Sequence, residues 1–453
     1  MFFLISTTVL YTILAIARFR WALFVLIALL PTYLIRFRLG PLPSTWLEVM
    51  IWIAVLVWAG RLGLSFVIPG VATRNPEKIT NPRIALSRVW DDMRKNWPLA
   101  LGIALLLIAG AISVFTAPDI RAAAGLWKAY IIEPIALFIV FITTLKKEDA
   151  PKIIFALSLT AFATAAFAIY QKFTGFWIPN PYWAAEETRR VTSVWGFPNA
   201  IGLFLAPLIP LFFWMSFRAS RRRVEESNAM RFLHASRYAG LGRNDLLKIC
   251  YWLVVISASL LAIIFAKSTG ALVGLAAALM LAGVLYKKTR VAAIALAALG
   301  AMLILTVPQL ASIKQELLLQ DYSGRIRRDM WAESVELLSE HPILGTGLAS
   351  YKEVIHRYRI DKWIEIFEYP HNIILNFWIE LGALGVLAFI LIFYWLFKTA
   401  RATPALLAVI TVILVHGLVD VPYFKNDLAT LFWLLAGLVA LNAHKKPDTL
   451  SSI

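Results

Sequence analysis

The sequence changes character within one segment, residues 321–389, which reads DYSGRIRRDMWAESVELLSEHPILGTGLASYKEVIHRYRIDKWIEIFEYPHNIILNFWIELGALGVLAF. Its first part gathers arginines, histidines and carboxylates, and its last part is a long apolar run. A polar segment that leads directly into an apolar helix predicts chemistry at a membrane surface. The alternative is a solvated loop that only joins two membrane spans.

Composition supports a membrane protein. Hydrophobic residues make up 60% of the 453 residues, 17 of which are tryptophan, and the mean hydropathy is +0.73. Soluble domains are about half apolar. The net charge of +17 is divided among clusters between apolar runs, which is typical of a polytopic membrane protein, so no nucleic-acid partner is expected. The single cysteine, Cys250, excludes an internal disulfide.

Apolar runs long enough to cross a bilayer occur along the whole chain. Because lipid offers no hydrogen-bond partner to the backbone, and the runs lack the alternation of a β-barrel, they should be helices. We therefore predict an all-α polytopic membrane protein, a single integral domain over residues 1–453, with about 12–13 transmembrane helices. The predicted runs are 2–17, 20–36, 44–66, 98–117, 120–145, 151–173, 197–217, 249–267, 269–286, 291–307, 376–397, 403–420 and 425–443.

Charge between the runs predicts the topology. Residues 218–247 are rich in arginine and should form a cytoplasmic loop, and the basic C-terminus should lie on the same side. Parity then places residues 174–196 and 308–375 on the outer face as two loops, the larger carrying the active site. Long loops cross regardless of charge, so the basic residues kept in 308–375 indicate a function there.

Two charged residues, Lys128 and Glu133, lie inside a predicted span. Charges at that depth are costly and mark a functional site by default. Five positions separate them, about 140° around an α-helix, so a pair within the helix is not expected, and each should find a partner on another helix or lie in a water-filled cavity. The alternative is an interhelical ion pair with a purely structural role.

Basic residues also precede the span that begins near Asn199. Arg189 and Arg190 lie in the aromatic-rich outer segment just before Pro198. An arginine above the N-terminus of a helix is suited to an anionic group such as a phosphate.

A histidine stands at the start of a later span. His371 precedes Asn372, which should cap the helix. A histidine can accept a proton near neutral pH, which makes His371 a candidate base. The alternative is an interfacial histidine that only contributes to the cap.

Four motifs occur in one order and on one side of the membrane. They are R-x-x-S-x-W-G-F-P-N at 190–199, S-G-R-I-R-R-D-M-W at 323–331, H-P-I-L-G-T-G-L at 341–348 and Y-P-H-N-I-I-L-N-F-W-I-E-L-G at 369–382. Together they resemble the O-antigen ligase and O-antigen polymerase superfamily, from about residue 98 to about residue 443.

That resemblance implies a glycosyltransferase of the bacterial inner (cytoplasmic) membrane that uses neither a metal nor a cofactor. Members take a glycan from undecaprenyl diphosphate on the outer face. Ligases transfer it to the lipid-A core of lipopolysaccharide or to a protein, and polymerases transfer it to another lipid-linked repeat. The expected partners are thus a lipid-linked glycan donor, a saccharide, lipid or protein acceptor, and the bilayer.

The resemblance also implies roles for particular residues. Arg190 matches the first family arginine, Arg327 or Arg325 the second, and His371 the family histidine. We expect the arginines, with Lys128, to bind the diphosphate and His371 to act as the catalytic base. Where the family often has Ser-Arg-Gly this chain has Ser-Thr-Gly at 268–270, with only a lysine beside it.

The chemistry agrees with these roles. Diphosphate is already a good leaving group, so the protein has to stabilise its developing charge and remove the acceptor's proton. A transporter or flippase of lipid-linked sugars is an alternative of another class. Such a protein should show internal repeats, and the sequence has none that we detect. A structural scaffold would not need outer arginines and a histidine placed together. Ligase and polymerase cannot be separated from the sequence.

Overall fold

The computed structural model describes residues 2–39, 42–67, 94–218 and 243–443. Most of the predicted basic loop 218–247 and the basic C-terminal residues 444–446 lie outside the described residues. The all-α prediction is confirmed in the described part of the chain. Its one sheet there is a hairpin in which Arg36–Leu39 pairs antiparallel with Leu42–Thr45.

The helices are short in the outer segments and long in the apolar runs. In chain order they are α1 (Phe2–Ala17), α2 (Phe19–Ala28), α3 (Trp46–Val67), α4 (Trp97–Thr116), α5 (Ile120–Trp127), α6 (Glu133–Thr144), α7 (Ala150–Thr174), α8 (Pro181–Ala184), α9 (Asn199–Leu205), α10 (Arg243–Phe265), α11 (Thr269–Leu285), α12 (Arg290–Thr306), α13 (Ala311–Leu317), α14 (Tyr322–Glu340), α15 (Tyr351–Val354), α16 (Ile373–Ala400), α17 (Pro404–Gly417) and α18 (Asn426–Ala443). A π-helix, Lys128–Ile132, joins α5 to α6.

Each of the predicted apolar runs contains a helix, but fewer are long enough to cross a bilayer than the sequence suggested. Among the described residues, 8 helices have the length and composition of a span, or up to 9 if the bent pair Arg290–Thr306 and Pro308–Glu340 counts as one. Four further apolar helices are shorter, namely those within α1, α2, α11 and α17.

One predicted span, residues 20–36, is wrong as a continuous helix. The helix α2 ends at Ala28, and a 3-10 turn containing Pro31 follows. Proline lacks the N–H that an α-helix needs and clashes with the preceding turn. The chain then enters the hairpin at Arg36 instead of continuing as a helix.

The large outer segment packs on the end of the helix bundle. The side chain of Asp321 caps α14 by accepting from the N–H groups of Ser323 and Gly324. Beyond the first turns of α14, Met330, Leu337 and Leu338 are buried against further residues of the segment, which makes a small second core. This core fixes α14 above the first turns of α16.

A sharp turn in α16 ties the same segment to the membrane helices. Gly382 has a φ of 66° inside α16, and the N–H of Ala383 donates to the carbonyl of Ile343 at 2.8 Å. A β-carbon at Gly382 would collide with that carbonyl. Glycine therefore allows the chain around Ile343 to approach the helix backbone.

Candidate functional site

The side chain of Arg190 is held at the ends of two helices, α9 and α10. Its Nε donates to the carbonyl of Ala266 at 3.1 Å, just past α10, and its Nη2 donates to the side-chain oxygen of Asn199 at 3.3 Å, in the first turn of α9. Its guanidinium also lies 6.0 Å from the ring centre of Trp183. Contacts with the ends of α9 and α10 and with Trp183 thus fix the side chain of Arg190 in place.

Arg327 reaches the same region from the first turns of α14. Its Nε donates to the carbonyl of Val419 at 2.9 Å and its Nη1 to the hydroxyl of Ser323 at 2.7 Å. Arg325, two residues earlier, is exposed. The structure therefore brings Arg327 to the site and leaves Arg325 at the surface.

The two site arginines are close enough to repel each other. Burial, and then the positive charge of Arg327, lower the pKa of the Arg190 guanidinium. Arginine stays protonated in proteins at any ordinary pH. The site consequently holds two like charges in a half-buried place, and an anion between them would relieve the repulsion.

His371 lies beside these arginines and is held by a carboxylate. Its Nδ1 is 3.1 Å from Oδ1 of Asp420, and its backbone has a φ of 49°. The ring of Phe367 packs edge-on against the imidazole at 5.2 Å between ring centres. The indole of Trp331 donates to the carbonyl of Pro370 at 3.0 Å and fixes the chain just before the histidine.

Asp420 joins the histidine to the first arginine. Its Oδ2 accepts from Nδ2 of Asn199 at 2.9 Å, and Asn199 accepts in turn from Arg190. Its Oδ1 also accepts from the backbone N–H of Val421 at 2.9 Å. Arg190, Asn199, Asp420 and His371 therefore form one continuous chain of polar contacts.

The charge state of Asp420 decides which histidine nitrogen is available. Burial favours the neutral carboxyl, but His371 and then Arg327 outweigh it and hold the pKa of Asp420 below its ordinary value. An ionised carboxylate can only accept hydrogen bonds, so Nδ1 of His371 carries the proton and donates. When the imidazole is neutral, Nε2 is therefore the unprotonated nitrogen and can accept a proton.

The sequence prediction missed Asn199 and Asp420 as members of the site. Asn199 was interpreted only as the start of a span. Asp420 was included in the predicted run 403–420, whereas α17 ends at Gly417. A carboxylate at the end of an apolar run is a signal that could have identified Asp420, because buried charges need a partner.

We expect Asp420→Asn to slow any reaction in which His371 accepts a proton by at least about tenfold, because a neutral amide no longer fixes the histidine tautomer. Steady-state kinetics on the purified variant would measure this. A positioning role lowers kcat with little change in KM and alters the pH profile. An unchanged kcat with a normal pH profile would show that Asp420 is structural only.

Lys128 forms a different cluster from the one that its sequence position suggested. Its Nζ is 2.7 Å from Glu48 and 3.4 Å from Glu133. The prediction that each residue finds a partner on another helix is confirmed, because Lys128 contacts Glu48 and Glu133 accepts from Trp52, both in α3. The expectation that Lys128 and Glu133 do not pair within their own helix was wrong. The π-helix Lys128–Ile132 bonds residue i to residue i+5, so side chains five apart share one face there.

The charge of Lys128 is thus balanced by two carboxylates. Glu48 also accepts from Asn426 at 2.8 Å, and Glu133 accepts from Trp52 at 2.7 Å. Among the described residues, no contact joins Lys128 to Arg190 or Arg327. Binding of the diphosphate by Lys128 stays a prediction.

We expect Lys128→Met to lower the free energy of unfolding by about 3 kcal/mol, because it removes the positive charge beside the buried carboxylates of Glu48 and Glu133. Thermal unfolding of the detergent-solubilised protein would measure the loss. A matched control is Lys352→Met, which breaks an exposed ion pair to Glu368 and should destabilise the protein much less, because solvent screens an exposed pair. Equal losses in the two variants would refute the structural role of Lys128.

The Ser-Thr-Gly stretch at 268–270 begins α11, with Ser268 at its N-cap, and residues 266–268 form the tight connection from α10. Lys267 has a φ of 52°, and its carbonyl accepts from Arg190 at 3.5 Å. The hydroxyl of Thr269 donates to Glu316. The backbone carbonyls of this connection therefore accept hydrogen bonds from Arg190. They do so beside the position where the family often has a further arginine and this chain has Thr269.

The fold and the site together define a polytopic membrane protein with two arginines and a histidine gathered at the ends of its helices. Residues 253–390 match the family described as O-antigen ligase. This range includes Arg327 and His371, and it supports the resemblance to the O-antigen ligase superfamily. No curated protein matches the chain.

Metal-binding side chains are sparse in the described part of the chain. There, no group of three or more His, Cys, Asp or Glu residues is placed to hold a metal ion. Metal-independent transfer stays a prediction, tested below with a chelator.

Proposed function

We propose that the protein is a membrane glycosyltransferase. It moves a glycan from an undecaprenyl-diphosphate carrier to an acceptor on the outer face of the inner membrane, as an O-antigen ligase does. The family match supports a function of the O-antigen ligase or polymerase type. The observation that carries the proposal is the polar chain Arg190–Asn199–Asp420–His371 with Arg327 beside it.

The arginines would act on the donor. When the bond between the sugar's anomeric carbon and the diphosphate oxygen breaks, both electrons stay on that oxygen. Arg190 and Arg327 are placed to bind the resulting negative charge, and their planar forks suit phosphate oxygens. Donors aimed at a developing charge in a partly dry site are an effective source of catalysis.

The histidine would act on the acceptor. The acceptor hydroxyl oxygen bonds to the anomeric carbon and passes its proton to Nε2 of His371. The imidazolium that forms would be stabilised by ionised Asp420. Atoms and charge balance without a metal ion, so we propose a metal-independent reaction.

The identity of the acceptor distinguishes a ligase from a polymerase. Cells that lose a ligase should accumulate long, unattached lipid-linked glycans, whereas cells that lose a polymerase should lack long chains. Comparing lipid-linked glycan length with and without the protein would distinguish the two. Unchanged glycan length and attachment would contradict both, and would leave a transporter as the alternative.

The proposal requires the outer segment to lie opposite the basic loop. Cysteines introduced at Ser227 and Lys362, in a Cys250→Ser background, should be labelled by an impermeant thiol reagent from opposite sides of the membrane. Lys362 is exposed, and native Cys250 is replaced because it is exposed too. Labelling of both positions from one side would refute this topology.

A further inference from the structure

An open apolar groove runs between α7 and α10 on the lipid-facing surface. Its volume is about 500 Å³, within the range of about 300–1,000 Å³ typical of ligand sites. Its lining is apolar except for one serine, and consists of Phe162, Ala166, Ile169, Leu253, Val254, Ser257, Ala258 and Leu261.

Aromatic contacts between the two helices flank the groove at both ends. Near the inner end, the rings of Phe155 and Tyr251 lie 5.7 Å apart. At the outer end, those of Phe173 and Phe265 lie 6.5 Å apart. The lining residues between these contacts include two alanines and a serine, which are too small to fill the space. The groove follows directly from this order of large and small residues.

The outer end of the groove leads to the site described above. Arg189 donates from Nη1 to the carbonyl of Lys172 in the last turn of α7, at 3.1 Å. Arg190 donates to the carbonyl of Ala266, just past α10, also at 3.1 Å. Leu261 lies about 7.5 Å below Ala266 along the helix axis. Two consecutive arginines thus lie at the ends of the two helices that form the groove.

We propose that this groove binds the polyprenyl tail of the lipid-diphosphate donor while the diphosphate lies at Arg190 and Arg327. The inference rests on the proposed function. A lipid diphosphate bound at Arg190 would have its hydrocarbon tail in the outer leaflet of the bilayer. The first carbons of that tail would therefore lie beside α7 and α10. A groove that opens to the bilayer admits such a chain by lateral movement.

The groove must select the polyprenyl tail by its shape. A tail that leaves lipid for an apolar groove gains no hydrophobic free energy, since both surroundings are apolar. Its binding depends on dispersion contacts, which are lost when atoms do not fit closely. A bulky side chain placed in the groove should therefore displace the tail and leave the arginine site intact.

A pair of alanines on α7 provides a matched test. Ala166 lines the groove, whereas Ala163 is exposed on the same helix outside it. Purified protein in phosphatidylglycerol nanodiscs would carry the photoreactive residue p-benzoylphenylalanine at one position or the other, and the probe would be radiolabelled undecaprenyl diphosphate. We expect strong labelling from position 166 and weak labelling from 163, with labelling at 166 reduced by Arg190→Ala.

Affinity gives a second readout. Ala166→Trp should weaken binding of undecaprenyl diphosphate by about tenfold or more, and Ala163→Trp should not. Neither variant should change the binding of inorganic diphosphate, which has no tail. Equal labelling from positions 163 and 166, or labelling at 166 that excess phosphatidylglycerol removes, would overturn the inference, because the groove would then hold ordinary membrane lipid.

The outcomes separate this inference from the proposed function. If the wild-type protein transfers no glycan but labelling at 166 is specific, the groove is a polyprenyl-diphosphate site and the proposed reaction is wrong. If transfer occurs and labelling at 166 is no stronger than at 163, the reaction stands and the groove proposal is wrong.

Discussion

His371→Ala should lower the rate of glycan transfer by at least about a hundredfold, because a general base typically contributes a hundred- to ten-thousand-fold. Binding of the lipid-linked donor should change little, since we propose that the diphosphate binds to the two arginines and not to His371. Single-turnover transfer by the purified variant, measured beside donor affinity, would separate these effects.

Two other histidines serve as controls for this variant. His341 and His356 are exposed on the same outer segment, and their alanine variants should keep nearly full activity. A His371→Ala protein as active as these controls would mean that another residue takes the proton or that no base is needed.

Arg190→Lys and Arg327→Lys should each lower transfer by about a hundredfold, the effect of removing one well-placed donor to a developing charge. Lysine keeps the positive charge but lacks the planar fork that binds two phosphate oxygens. The loss should be measured on correctly inserted protein, with thermal unfolding as a check of the fold.

Arg325→Lys is the matched control on the same helix. Arg325 is exposed, whereas Arg327 is bonded to the carbonyl of Val419. The control should retain activity. A large loss in Arg325→Lys with none in Arg327→Lys would reverse the assignment of the second arginine, and full activity in both Arg190→Lys and Arg327→Lys would refute the donor site.

The fold predictions that were confirmed follow from the physical properties of the bilayer. Apolar runs without charge must be helices in lipid, so composition was sufficient to predict the class. Helix interruptions were harder to predict. The run 20–36 is apolar enough to cross, and the backbone effect of Pro31 decided that α2 ends at Ala28.

The site was predictable only where chemistry and position coincide in one stretch. His371 beside its cap could be proposed from local sequence, and so could an arginine before α9. The contact of Asn199 with Asp420 joins residues more than two hundred positions apart, and no local pattern indicates it. The choice between Arg325 and Arg327 depends on how α14 is rotated against Val419, which packing alone decides.

The pairing of Lys128 with Glu133 illustrates a different limit. An α-helix does not bring residues at this spacing together, but one π-helical turn places the two side chains 3.4 Å apart. Local backbone geometry of this kind is imposed by packing against neighbouring helices, so sequence spacing could not reveal it.

The central claim is best tested by one transfer assay. Lipid-linked glycan extracted from cells that lack the protein would be incubated in EDTA with purified protein and with membranes of the same cells as acceptor. We predict that the glycan becomes attached and free undecaprenyl diphosphate is released by the wild-type protein, and that His371→Ala does neither at a comparable rate. Transfer that stops in EDTA, or release that is equally fast in the two proteins, would contradict a metal-independent transfer that uses His371 as its base.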